Sequence, residues 1–121
     1  MTLLRMQDAD GRGPWKPGFS HQWSDPVGPS LPKPITSAIP NFRAFAMDWH
    51  RKGFHLGCAV WASQRSLWFT PAEEAKLAAL GYGWHDASRC TIAWEGADQV
   101  LIASRVALRK LPKLANIEAT P

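Results

Sequence analysis

The segment from residue 8 to residue 40 constrains the fold more than any other part of this 121-residue chain, because seven of the ten prolines fall there. Proline fixes φ and removes a backbone donor, which excludes both a long helix and a central strand. Irregular stretches of this length are typical of functional loops or disordered segments. Aromatic residues are rare in disordered segments, and this one contains Trp15, Phe19 and Trp23. We therefore expect an ordered loop that packs these rings on the domain, with residues 26–40 more mobile.

The rest of the chain alternates between strand and helix signals. Apolar residues recur at helical spacing from Phe42 to Trp49, after the N-cap candidate Asn41 and before the helix-ending Gly53. The predicted elements, in chain order, are a strand over 2–7, a helix over 41–52, a strand over 54–62, a short helix from Ser63 to Phe69, a helix from Thr70 to Gly81, and a hairpin of strands 83–94 and 99–106. Because strands and helices mix without a regular βαβ repeat, the pattern favours an α+β fold. We expect one domain over 1–111 with a mixed or antiparallel sheet and two to three helices, and a flexible tail over 112–121.

The third of these helices has the strongest local signal. Thr70 is a good N-cap, Pro71 suits the first helical position, and Glu73 completes a capping box. Leu77 and Leu80 are then expected on the buried side of the helix.

Charge and cysteine content narrow the setting. The formal net charge is +4, and no acid occurs from Gln99 to Ile117, where four basic residues fall. This basic run is either a solvated edge or a patch for phosphate or for an acidic protein surface. The two cysteines, Cys58 and Cys90, do not make a disulfide framework. With no secretory signal and no apolar stretch long enough to span a membrane, we expect a cytoplasmic protein.

Two features near the N-terminus are candidates for ligand binding. Gly11, Arg12 and Gly13 follow the first strand, and glycines let backbone N–H groups approach an anion. The alternative is a tight turn with solvated charges. Arg5 projects from the strand face opposite to Leu4 and Met6, as either a surface residue or a cleft residue that binds carboxylate or phosphate. The His and Cys spacing matches no zinc motif, so we expect no metal.

The first strand and the segment after it contain Leu4-Arg5, the run Gly11-Arg12-Gly13-Pro14-Trp15, the run Pro17-Gly18-Phe19-Ser20, and Trp23. In these motifs the chain resembles a family of small, largely uncharacterised phage and prophage proteins. It implies a mobile-element origin and a bacterial host cell.

A second resemblance is to the ADP-ribosyltransferase layout, in which a strand-borne Arg, a Ser that ends a strand and a late acid form an NAD site. It implies that Arg5, Ser63 and Gln99 are the catalytic positions, and that Arg5 with the loop from Gly11 through Arg12 and Gly13 to Ser20 binds NAD. Gln99 departs from the pattern, since an amide cannot carry the charge that stabilises an oxocarbenium-like transition state. Nucleotide binding without turnover is therefore an alternative, and the sequence leaves open whether the protein is an enzyme.

Two further functions compete with an NAD-binding accessory protein of phage origin. One is a non-enzymatic protein that binds and inhibits a component of a host defence system, as anti-CRISPR proteins do, through a Trp-rich surface or a patch over Arg105 to Lys113. The other is a nucleic-acid binder that uses the basic run with Trp15 or Trp23 for stacking. No membrane partner is expected.

Overall fold

The computed structural model describes residues 2–14 and 38–114, which build one five-stranded sheet with helices packed on it. All strand pairs are antiparallel. The strand order is β3-β1-β2-β5-β4, with β1 (Leu3–Gln7), β2 (His55–Trp61), β3 (Gly83–Asp86), β4 (Thr91–Glu95) and β5 (Val100–Ser104). The helices are α1 (Phe42–Arg51) and α2 (Pro71–Ala79), with 3₁₀ helices over Ala62–Leu67 and Leu108–Lys110. The prediction of one small α+β domain is confirmed.

The sheet must be strongly curled, because its two edge strands are consecutive in the chain. In a flat sheet β3 and β4 would lie four strand spacings apart, roughly 19 Å. The strand register aligns Asp86 with Val60 of β2 and Thr91 with Leu56 of β2. These two β2 positions are four residues apart, so the ends of the link are also offset by about 13 Å along the strand direction. The five residue steps from Asp86 to Thr91 reach at most about 18 Å. The link can close this gap only if the edges bend toward each other.

Side-chain alternation gives the curled sheet an outer and an inner face. The outer face carries Leu4, Met6 and Val60, which pack against Leu77 of α2 and Phe69. Further along the same face, Phe42 and Phe45 of α1 cover Leu56, Cys58 and Leu101. Both helices therefore lie on the convex side.

The inner face is lined by small and branched apolar residues. Leu3, Ala59, Val100 and Ile102 are buried there together with Ala87 from the β3–β4 link. Ala87 in this cluster shows that the link passes beneath the concave side. The residues after β5 close the remaining opening, and Leu111 enters the same cluster.

Local signals in the sequence are confirmed at several elements. Thr70 and Glu73 form the reciprocal capping box at the start of α2. Gly53 follows α1 with φ 88°, in the left-handed region that a helix stop requires. The β4–β5 hairpin is present, and Gly96 donates its N–H to the carbonyl of Gln99.

Other local predictions are wrong. The expected single strand over 83–94 is two strands, because residues 87–90 turn between the sheet edges. Ser63 does not cap a helix: the 3₁₀ helix begins at Ala62 and no side chain caps it. Leu80, expected on the buried side of the helix, is the C-cap residue of α2 and is 68% exposed.

Two predicted segments extend past the described residues. Most of the expected loop over 8–40, including Ser20, lies outside them. At the other end, the chain after Leu111 continues along β3 rather than leaving the domain. Asp86 donates its N–H to Pro112, Leu114 donates to Trp84, and Lys113 pairs with His85. Residues 112–114 thus extend the sheet, where we expected a flexible tail to begin.

Candidate functional site

Arg5 lies at the centre of a buried polar network on the inner face. It is 8% exposed, and all three nitrogens of its guanidinium group donate to acceptors of the protein. Nε donates to Oε1 of Gln7 at 2.8 Å, one terminal nitrogen donates to the Cys58 carbonyl at 3.0 Å, and the other donates to the Gly11 carbonyl at 3.0 Å. The alternation correctly placed Arg5 opposite Leu4 and Met6, but the surface interpretation is wrong because later segments cover this face.

The network joins three parts of the chain. Gln7, which is completely buried, donates its amide to the carbonyl of Leu108 at 2.7 Å and so holds the second 3₁₀ helix. Gly57 leaves room for the guanidinium, since a Cβ at this position would lie 2.9 Å from Cζ of Arg5. Gly11 has φ 83°, and a Cβ there would lie 2.7 Å from the backbone nitrogen of Arg109. The inner strands, the turn after β1 and the residues after β5 therefore meet at Arg5.

The electrostatic setting of Arg5 is that of a structural cation. Burial lowers its pKa from the usual value, and Cys58 and Asp8 oppose that shift. An arginine nevertheless stays protonated in proteins, so a full positive charge is held beneath the sheet. Its hydrogen-bond acceptors are carbonyl oxygens of the backbone and of a side-chain amide, each of which would lose a charged donor if the guanidinium turned toward a ligand.

The turn from Asp8 to Arg12 is held by its own carboxylate. Oδ1 of Asp8 accepts from the backbone N–H groups of Asp10 and Arg12, both at 2.9 Å. Gly11 donates its N–H to the Asp8 carbonyl. The N–H groups of residues 10, 11 and 12, which an anion cradle would need, are thus already used, and a negative charge sits among them. This geometry favours the tight turn over the cradle; Gly13 follows it, half-buried.

The structure places Ser63 and Gln99 away from the Arg5 network. Ser63 is exposed and follows the end of β2 beside Thr2, about 10 Å along the strand direction from Arg5. Gln99 is buried, and it precedes Val100, whose side chain lies on the inner face. Alternation therefore puts Gln99 on the outer face, across the sheet from Arg5. The assignment of these residues to an NAD site stays a prediction.

The residues after β5 form an ordered basic surface, which we call the basic segment (residues 105–113). Its four basic side chains are exposed, while Leu111 between them is buried. Gln7 fixes its 3₁₀ helix and the β3 pairing fixes its end. The adjoining turn adds one exposed charge of each sign, Asp10 and Arg12. The basic side chains are Arg105, Arg109, Lys110 and Lys113.

A basin of about 320 Å³ opens where β5 ends and β4 begins. Arg89 and Arg105 line it, together with the aromatic ring of Phe54 and the exposed Val106. The guanidinium of Arg105 lies over the Phe54 ring, with Cζ 4.4 Å from its centroid. Among the described residues, ion pairs join Lys52 to Asp48 and Arg65 to Glu74. Neither of the two basin arginines takes part in them.

Three further groups, in or near the lining, affect the charge and the free donors of the basin. Burial raises the pKa of the Cys90 thiol, which keeps it neutral at neutral pH. The Ser104 hydroxyl is occupied, because it donates to the Val106 carbonyl at 2.7 Å. Asp86 is the acid near Arg89, and hydrogen bonds from Ser88 lower its pKa, so it stays ionised and offsets part of the positive charge.

Sequence reasoning missed Gln7, Gly57 and Arg89. Gln7 and Gly57 have the strand alternation in common with Arg5, since all three fall on the inner face, but only the register of β1 against β2 brings them together. No sequence pattern singles out Arg89 as a site residue, because residues 83–94 are predicted to form one continuous strand.

No family model, curated protein or solved structure matches the chain. Within residues 2–14 and 38–114, no group of three or more His, Cys, Asp or Glu side chains is arranged to hold a metal ion. No helix among the described residues is long and apolar enough to cross a membrane.

Proposed function

We propose that the chain is a non-enzymatic binding protein whose basic segment recognises an acidic surface of a partner protein. The main observation behind this proposal is that the backbone of the basic segment is fixed. Its basic side chains are exposed, but its backbone is anchored by Gln7, by the core position of Leu111 and by the pairing of Lys113 with His85.

Anchoring matters for binding because a flexible basic tail loses conformational entropy when it docks. A surface that is already fixed avoids most of that loss, so more of the electrostatic attraction remains as affinity. Complementary charge also speeds encounter and rejects partners of the same sign. An anchored cluster of four cations is therefore better suited to a specific partner than a solvated edge would be.

The buried network supports the same choice. The three hydrogen bonds of Arg5 hold the scaffold beneath the basic segment, which accounts for the residue without a ligand. The phage or prophage origin, a target within a host defence system and a cytoplasmic setting belong to this proposal as its biological context. NAD binding stays a prediction, and its detection is one of the results that would replace this proposal.

The test is affinity capture from a nuclease-treated lysate of the bacterial host, followed by quantitative mass spectrometry and by titration of the captured protein in purified form. The test variant carries Arg109→Glu, Lys110→Glu and Lys113→Glu. The control variant carries Arg43→Glu, Arg51→Glu and Lys52→Glu at exposed positions in α1 and directly after it, which changes net charge equally.

The proposal predicts one acidic partner that the control variant retains and the test variant loses by at least ten-fold in affinity. Equal loss with both variants would mean that only net charge matters. If the purified wild-type chain instead binds added DNA or RNA with a steep salt dependence, the nucleic-acid alternative replaces the proposal. Stabilisation by NAD, with release of nicotinamide, would replace the proposal with the enzymatic one.

A further inference from the structure

The basin, which the basic segment helps to line through Arg105, Val106 and Leu111, has the properties of a site for one class of anion. Its walls combine two arginines with the apolar surfaces of Phe54, Val106 and Leu111. Its volume of about 320 Å³ is at the lower end of the range for small-molecule pockets. We propose that this basin binds a carboxylate carried on an apolar group. The inference rests on the proposed function in one respect, since an acidic anchor residue of the partner would be the natural source of that carboxylate.

The two arginines, Arg89 and Arg105, supply the positive charge of the basin. An arginine stacked on an aromatic ring keeps its N–H groups for a carboxylate, and stacking restricts its motion. Arg105 lies over the Phe54 ring, with Cζ 4.4 Å from the ring centroid, and this cation–π contact holds its charge at the basin wall. Arg89 stands in the short link between β3 and β4, whose backbone is fixed by the N–H bond from Cys90 to Ala87.

The remaining lining determines what kind of anion fits. The Ser104 hydroxyl donates to the Val106 carbonyl and the Cys90 S–H is a weak donor, so apart from the two arginines the lining offers the Thr91 hydroxyl as a side-chain donor for a heavily hydrated anion such as phosphate. Apolar contact comes from Phe54 and from Val106, which is 50% exposed. A ligand with one charged end and one apolar body satisfies both parts of the wall.

Asp86 gives the proposal an internal check. Its carboxylate is ionised and lies near Arg89, so it competes with a bound carboxylate for that charge. Removing this negative charge should therefore tighten binding, whereas a basin with no role in anion binding would not respond.

The experiment is a two-dimensional amide NMR titration of the full chain with N-acetylphenylalanine, which has a carboxylate and an aromatic ring. Its uncharged amide is the control ligand, and sodium phosphate tests for a general anion site. A capped peptide acetyl-Leu-Glu-Leu-amide distinguishes a side-chain carboxylate from a free terminal one. Each spectrum also reports whether the variant is folded.

We expect saturable shifts at residues 89–91 and 103–106 with a dissociation constant of roughly 1 mM, as for other ligands of this size. The uncharged amide and phosphate should bind at least five-fold more weakly. Arg89→Gln and Arg105→Gln should each weaken binding about five-fold or more, Asp86→Asn should tighten it about two-fold, and Arg51→Gln on α1 should change nothing.

Equal binding of the acid and its amide, or shifts that Arg89→Gln and Arg105→Gln leave intact, would overturn the proposal. These results are independent of the partner capture, which uses substitutions at 109, 110 and 113. A basin that binds no carboxylate in a chain that still captures an acidic partner would remove this inference alone. Carboxylate binding without any partner would remove the proposed function alone.

Discussion

Replacing Arg5 with methionine separates a structural arginine from a ligand-binding one. Methionine matches the aliphatic stem of arginine in length and fits the apolar part of the space, but it has no donors. The substitution removes the hydrogen bonds that Arg5 donates to Oε1 of Gln7 and to the carbonyls of Cys58 and Gly11, two of them buried and the one to Cys58 partly buried. If Arg5 served only a ligand, the free protein would lose little stability.

The magnitude follows from two opposing effects. Each hydrogen bond from a charged donor contributes about 1.5–3 kcal/mol, which for three bonds gives roughly 4–9 kcal/mol. Against this, methionine removes the desolvation penalty of a buried guanidinium, which is several kcal/mol. We expect a net loss of about 3 kcal/mol in the free energy of unfolding. For a domain of this size that corresponds to a fall of roughly 12 °C in Tm.

The assay is urea unfolding of the wild type, Arg5→Met and the control Arg12→Met, an exposed arginine on the adjoining turn. The control should stay within about 0.5 kcal/mol of the wild type, as surface substitutions usually do. A loss below about 1 kcal/mol for Arg5→Met would refute the structural role. If that variant also lost a stabilisation that NAD gives the wild type, the nucleotide-site prediction would be supported instead.

Two further predictions concern the same inner face. Gly57→Ala should lower the free energy of unfolding by about 1–3 kcal/mol, because the new Cβ would lie 2.9 Å from the Arg5 guanidinium. The control in the same urea series is Gly83→Ala, whose new Cβ meets only the flexible end of Lys113 and should cost little stability. Equal losses in the two variants would contradict the crowding at Gly57. Burial lowers the pKa of His85, so the native state binds fewer protons than the unfolded state. Its contribution to stability is present above about pH 6.5 and is lost as the pH falls through that value toward the folded-state pKa. The free energy of unfolding, measured from about pH 7 to pH 5, should fall in the wild type and fall less in His85→Gln, and parallel slopes would exclude His85 as the cause.

The parts of the fold that could be predicted are those that short-range chemistry determines. The capping box of Thr70 and Glu73 and the stop at Gly53 depend on neighbours within one helical turn, and both are present. The split between β3 and β4 was missed because it depends on the curl of the whole sheet. Residues 83–94 read locally as one strand, although their middle must turn to connect opposite edges.

The site was harder to predict for the same physical reason. Strand alternation correctly predicts that Arg5 points away from Leu4 and Met6. It does not indicate whether other segments cover the face of the sheet on which Arg5 lies. The cover comes from the residues around Leu108, about a hundred positions later, and the space for the guanidinium comes from Gly57. A sequence pattern records the direction of a side chain, whereas its burial is decided by segments that are remote in the chain.

The buried network holds the basic segment in place, and hydrogen exchange of Gln7→Leu is the measurement that decides this. The substitution removes the donor to the Leu108 carbonyl and replaces the amide with an apolar side chain of similar size. The amides of residues 105–111 should exchange at least ten-fold faster than in the wild type, while α2 (Pro71–Ala79) on the opposite face keeps its protection. Unchanged exchange at 105–111 would contradict the claim, because the segment would then be held by something other than the network beneath it.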